Sequence, residues 1–254
     1  MGTLYTRSIG VLAAEGKYIF PLDNDDMFLN NDVFDIIYHE INEYNFDIVY
    51  FKVIMVNNLE DFLDKKNLQV VRTFKNNKIM NQQELRYYSL NSFILWGQCI
   101  KSELYKKSIK ILGKERYSRY IISFEDSIPN YLNNKFASSG KFFFKFGILR
   151  VSRRSSASNT MNIINKNFYE LYFIETLLDF SGEEKLEMKV AINRMIFSLY
   201  HKHISLSLTT DEKKIFFKSL IKKILSSKYV NNKKKELIRK KLLSSKSLNF
   251  SLAK

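Results

Sequence analysis

The stretch GKYIFPLDNDDMF, residues 16–28, runs from mostly apolar residues into Asp23, Asn24, Asp25 and Asp26. Two aspartates one residue apart can turn their oxygens towards one hard cation. Mg²⁺ or Mn²⁺ takes one or two protein carboxylates and completes its octahedron with water and phosphate oxygens. Such a cation offsets the charge of a diphosphate and stabilises it as a leaving group. The plainer alternative is a solvated acidic turn in which Asn24 or Asp25 supplies the turn chemistry. A second acidic pair, Glu125–Asp126, stands before SIPNYLNN. Pro129 suits the first turn of a helix there, with Asp126 or Ser127 as cap. A carboxylate at a helix N-terminus is held in its charged form, which suits a base that takes a proton from a hydroxyl. Trp96, the single tryptophan, offers a face for a sugar ring or a place in the core. Arg7 suits a phosphate or a surface ion pair. His39, His201 and His203 form no ligand set with the acidic cluster.

These residues need elements to place them. KYIFPL and FDIVYFKVIMV read as strands, the latter rich in β-branched and aromatic residues, and KFFFKFGILRV reads as a third. NDVFDIIYHEINEY carries Val33, Ile36, Ile37 and Ile41 at helical spacing, and NQQELRYYSL reads as a short helix. Alternation of this kind predicts an α/β layer architecture. A strand that ends in carboxylates would put them at the carboxyl edge of the sheet, where such folds gather ligands. After the polar break SRRSSASN the remaining segments read as helices, with Asp211 as N-cap of one. Two regions follow: 1–154, α/β, and 155–254, helical and basic.

Composition narrows the function classes. With 254 residues, 45 % hydrophobic and 15 % aromatic, the chain can bury a core. The single Cys99 argues against a disulfide framework and for a reducing, cytosol-facing compartment. No apolar run approaches a membrane span. The net charge of +15 is uneven: residues 211–254 hold 14 basic and 3 acidic residues, whereas the first 210 hold 27 and 23.

GTLYTRSIGVLAAEGKYIFPLDNDD resembles the stretch around the D-x-D motif of family 2 glycosyltransferases of the GT-A fold. The matching positions are Gly2, Arg7, Gly10, Ala14, Gly16, Tyr18, Ile19, Asp23, Asp25 and Asp26. ILWGQCIKSELYKK, residues 94–107, is similar to the family's acceptor-side segment, and FEDSIPNYLNN, residues 124–134, to its Glu-Asp motif. The resemblance spans roughly residues 2–155. It implies a truncated GT-A (Rossmann-like) mixed sheet and a hexosyltransferase-like activity. By the same resemblance Asp23, Asp25 and Arg7 bind a UDP- or GDP-sugar, and Asp25 with Asp23 holds Mn²⁺ or Mg²⁺. Asp126, beside Glu125, is the implied base of an inverting displacement, and Trp96 faces a glycan or lipid-linked acceptor. Members of the family usually carry further nucleotide-binding strands ahead of the D-x-D. The expectation here is therefore a partial cradle with impaired donor binding.

The basic tail gives the competing reading. In EKKIFFKSLIKKILSSKY, Phe216, Phe217, Leu220, Ile221, Ile224 and Leu225 form one stripe, with Lys213, Lys214, Lys218, Lys222 and Lys223 largely outside it. A docked helix with a solvated basic face accounts for this. Peripheral contact with an anionic membrane comes second. Nucleic-acid binding comes last, because no recognised motif accompanies the lysines. The alternative function is then a non-catalytic basic helical binding protein carrying a transferase remnant.

Overall fold

The computed structural model describes residues 2–29, 32–64, 68–71, 76–91, 95–121, 124–151, 163–181, 185–201, 210–228 and 230–244. The chain divides into two compact units, Met1–Thr160 and Met161–Lys254.

The first unit is α/β and built on one mixed sheet. Its centre is a parallel pair, β3 (Ile48–Val56) and β7 (Ser139–Val151). β3 is buried at every position but Met55. Burial on both faces explains why it reads as a continuous apolar run and not an alternating one. β6 (Gln98–Lys101) pairs antiparallel with β3, and β1 (Tyr18–Ile19) with β6. On the other side β2 (Asp26–Phe28) runs antiparallel to the second half of β7, and β5 (Lys78–Asn81) to its first half. β4 (Gln69–Val71) pairs with the end of β3. The β3–β7 register slips between Phe51 and Val53, where Phe51 faces Phe143, Lys52 faces Phe146 and Val53 faces Ile148. Gly147 lies in this bulge; a Cβ there would come within 2.9 Å of Phe51 Cβ, so the close approach requires glycine.

Helices cover the sheet. α1 (Thr3–Ala13) buries Leu4, Ser8 and Val11, spaced by four and three, as one stripe. Its N-cap, Gly2, meets the chain at Ile121 so closely that a Cβ would lie 2.6 Å from the Ile121 nitrogen. α2 (Asp32–Glu43) buries Val33, Ile37 and Ile41 against Phe46, Val49 and Phe51. α5 (Ser102–Leu112) and α7 (Ser127–Phe136) pack on one another, α7 also on α4 (Gln82–Asn91). α3 (Leu59–Leu63) and α6 (Lys114–Tyr117) are single turns.

The described part of the second unit is helical: α8 (Ile163–Phe180), α9 (Lys185–His201), α10 (Asp211–Ser226) and α11 (Asn232–Ser244). In α10 Phe217, Leu220, Ile221 and Ile224 are buried, and Lys218, Lys222 and Lys223 are exposed. Its cap is Thr210, one residue before the expected Asp211; the Thr210 hydroxyl accepts from the Lys213 N–H at 3.3 Å. His203 lies outside the described residues. Among the described residues no helix is long and apolar enough to cross a membrane.

Two expectations need correction. The strand before the aspartates is only Tyr18–Ile19, and Phe20 to Asp23 leave the ladder. Pro21 has no N–H to donate to a neighbour, so a paired strand cannot pass through it unbroken. Asp126 does stand at the N-cap of α7, but no side chain caps it. The Asp126 side chain makes no capping bond, and the Ser127 hydroxyl is buried without a hydrogen-bond partner.

Candidate functional site: an acidic cluster held by two arginines

DNDD is a tight turn in which the Asp26 N–H donates to the Asp23 carbonyl at 3.0 Å. The turn ends in β2, and its neighbour in register is the last part of β7. There Asp26 lies directly opposite Arg150. Arg150 Nη1 is 3.6 Å from Asp23 Oδ2 and 3.9 Å from Asp26 Oδ2, and the guanidinium carbon sits 4.6 Å above the Trp96 ring. From the opposite side Arg7, in the middle of α1, donates one N–H to Asp23 Oδ1 at 3.0 Å and another to Asp126 Oδ1. One guanidinium therefore joins the D-x-D turn to the Glu-Asp pair.

Asp126 is positioned by the helix behind it. Asn130 accepts from Gln98 Nε2 of β6 at 2.6 Å, and Asn134 accepts from the Tyr50 hydroxyl of β3. These bonds lock α7 to the sheet and so fix the start of the helix. Phe124, just before the pair, has φ of 63°, a left-handed backbone that a bulky side chain adopts only under constraint.

Among the described residues negative charge is in excess here. Asp23, Asp25, Asp26, Glu125 and Asp126 face two arginines. Burial pushes Asp26 up to about 7; Arg150 opposes the shift and the neighbouring Asp23, Asp25 and Asp126 reinforce it. Glu125 is likewise pushed up to about 7 by burial and then by Asp126. Asp126 is also raised by burial, with Arg7 pulling it back. Burial thus outweighs the helix N-terminus that was expected to favour its charged form. Burial disfavours the Arg7 charge, but Asp126, Tyr105, Asp23 and Glu125 more than restore it.

All the candidate residues fall in this one neighbourhood, in differing settings. Asp25 is half-buried at the turn. Trp96 is only 8 % exposed and packs on Val53 and Ile148 with Arg150 over its ring, so little indole face is left for a sugar. His39 lies elsewhere, exposed on α2 beside Glu43 at 3.1 Å. A cleft of about 650 Å³ adjoins the cluster on the α1 side, lined by Thr3, Thr6, Arg7, Asp23, Asn24 and Tyr105 among others. Two participants had not been anticipated, Arg150 and Tyr105. Tyr105 is fully buried with its hydroxyl unpartnered, its pKa raised by burial. A sequence signal existed for Arg150, a lone cation in the apolar run GILRV, but its partner depended on a strand pairing that spacing does not reveal.

The donor set suits a hard divalent cation, since it is made of carboxylate oxygens, and both oxygens of Asp26 are buried without a hydrogen bond. Among the described residues no group of three or more His, Cys, Asp or Glu forms a ready cage. Asp25 and Asp23 would be the residues to hold a cation, with water and ligand oxygens supplying the rest. Neither a protein-family model nor a characterised protein matches this chain.

Proposed function

We propose that this chain is a metal-dependent inverting glycosyltransferase of the family 2, GT-A type, acting on a nucleotide-diphosphate sugar and a hydroxyl acceptor. The observation that carries the reading is Arg7, which ties Asp23 to Asp126, two motif residues far apart in sequence, beside an open cleft. The cleft would take the donor, with Asp23 and Arg7 at the ribose or diphosphate and Asp25 at the cation. A bound cation supplies charge neutralisation for the departing diphosphate. Asp126 would accept the proton of the acceptor hydroxyl as that oxygen attacks the anomeric carbon and the bond to the diphosphate breaks. Arg7 opposes the burial that raises Asp126 and so favours its ionised form, while burial and then Asp126 favour the protonated form of Glu125, which limits the local repulsion.

Titration calorimetry of the chain with UDP and with GDP, each with Mn²⁺ and with EDTA, tests this. Binding that requires Mn²⁺ and is lost in Asp25→Asn supports it. Equal binding with EDTA, or none by folded protein, overturns it. The exposed Lys218, Lys222, Lys233 and Lys240 favour a second reading, a non-catalytic protein at an anionic membrane surface. Under that reading the folded chain binds anionic vesicles, releases them at high salt, and ignores both nucleotides.

A further inference from the structure

Both oxygens of Asp23 already face positive charge. Oδ1 accepts a hydrogen bond from Arg7 at 3.0 Å, and Oδ2 faces Arg150 at 3.6 Å. A cation that binds this carboxylate therefore competes with both guanidiniums for its oxygens. Arg7 is the firmer partner, because its fork also donates to Asp126. Arg150 is held differently. Among the described residues its buried Nη1 finds no hydrogen-bond partner, and the two buried oxygens of Asp26 find none either. A purely structural guanidinium–carboxylate pair closes to hydrogen-bonding distance, because unspent buried donors and acceptors are costly. Here donor and acceptors stop at 3.6 and 3.9 Å, attracted by charge alone. The backbone beneath is fixed by the Asp26–Arg150 register, and Trp96 supports the flat guanidinium at 4.6 Å. Side-chain torsions alone would release it.

We propose that Arg150 is an internal stand-in for the divalent cation. It neutralises Asp23 and Asp26 before a cation binds, yields Asp23 when a cation arrives, and then offers its unspent N–H to an oxygen of the diphosphate. The inference rests on the cation-and-diphosphate reading above. Arg150 is a positioning and specificity residue in this scheme, favouring ligands that bring both a cation and a phosphate anion.

The test is calorimetry of the full chain with Mn²⁺ alone, then with UDP and GDP at saturating Mn²⁺, for the parent, Arg150→Gln and Arg150→Lys. With its competitor removed, Arg150→Gln should bind Mn²⁺ alone roughly three- to fivefold more tightly, the worth of a partly exposed ion pair. The same variant should bind the Mn²⁺–nucleotide about tenfold more weakly, the worth of one charge-assisted hydrogen bond. Effects in opposite directions are not what general damage to the fold would give. Arg150→Lys keeps the charge but loses the planar fork, so Mn²⁺ affinity should stay near parental while nucleotide affinity falls. Unchanged or weaker Mn²⁺ binding in Arg150→Gln, or parental nucleotide affinity in either variant, overturns the role of Arg150 and leaves the cation site standing. If Arg150→Gln does not fold, the Lys variant decides by its nucleotide affinity. A parent that binds no Mn²⁺ overturns the inference and the proposed cation site together. A parent that binds Mn²⁺ but neither nucleotide overturns the diphosphate half and the proposed function.

Discussion

In the helical unit Arg194 donates to Glu170 at 3.0 Å and lies over the Phe173 ring at 5.5 Å. In the α/β unit Arg150 lies over Trp96 and faces Asp23 and Asp26 across 3.6 and 3.9 Å. Both places combine an arginine, an aromatic ring and a buried carboxylate. They differ in balance. Glu170 is 2 % exposed and has its guanidinium within hydrogen-bonding distance, as a buried charge requires if the fold is to tolerate it. Among the described residues the other place sets five carboxylates against two guanidiniums, and burial raises three of those carboxylates above their ordinary pKa values. Balanced charge at hydrogen-bonding distance belongs to a pair that holds helices together. An excess beside a cleft costs stability, and the proposed cation would relieve that cost.

Four changes would break or sharpen this contrast. The largest effect is expected at Asp126. Asp126→Asn should lower sugar transfer by about 10²- to 10⁴-fold, the usual worth of a general base, while nucleotide binding by calorimetry stays within a few fold of parental. Transfer at the parental rate would remove Asp126 from the role of base. Next, Arg194→Leu should destabilise the protein by about 3–5 kcal/mol, because it takes a guanidinium partner from the buried Glu170 carboxylate, and should leave Mn²⁺ binding untouched. Urea denaturation and calorimetry on the same variant read both halves. If Mn²⁺ binding fell as well, the separation of the two clusters into structural and functional kinds would be wrong.

A smaller effect is expected at the turn. Asp25→Asn should weaken Mn²⁺ binding by about tenfold or more, the worth of one charged ligand contact, with a melting temperature near parental because Asp25 is only half-buried. The last test is the pH dependence of stability. Asp26 and Glu125 titrate near 7 when folded, against ordinary values of 3.8 and 4.5. The folded state therefore binds more protons than the unfolded chain between about pH 4 and 7. Their stabilising contribution is full below pH 4 and lost as pH rises through 7. The urea midpoint should accordingly fall from pH 5 to pH 7.5 in the absence of divalent cation, and Asp26→Asn should flatten that fall. A midpoint that rises over this range in the parent and is unmoved by Asp26→Asn would show that the acidic excess carries no strain.

The elements of the α/β unit were legible wherever one physical rule governed a segment. The buried run of β3 and the stripe Val33, Ile37, Ile41 of α2 follow from burial and helical period alone. The first strand is shorter than its apolar content suggests because Pro21 interrupts the ladder. Asp23, Asp126 and Arg7 stood out by residue type and context, but their meeting through one guanidinium is a tertiary fact. Arg150 shows the limit most clearly. Its role depends on β2 and β7 being neighbours in a set register, and pairing between distant strands leaves no mark in local spacing. The pKa directions followed the same pattern. The helix N-terminus beside Asp126 was visible in the sequence, whereas the burial that overrides it was not.

The bulge at Phe143–Ile148 sets the phase of everything after it. Side chains alternate faces along a strand, so adding or removing one residue turns all later ones over. β7 spends its first half on β5 and its second on β2, and the bulge stands between the two. One residue fewer at Phe144 or Lys145 would leave the first half paired and send Arg150 to the face away from Asp23. Evolution could therefore change the chemistry of the 144–146 segment freely while its length stayed frozen. Related chains that keep the acidic turn should keep the number of residues from Phe143 to Arg150, even where hardly any of those residues is the same.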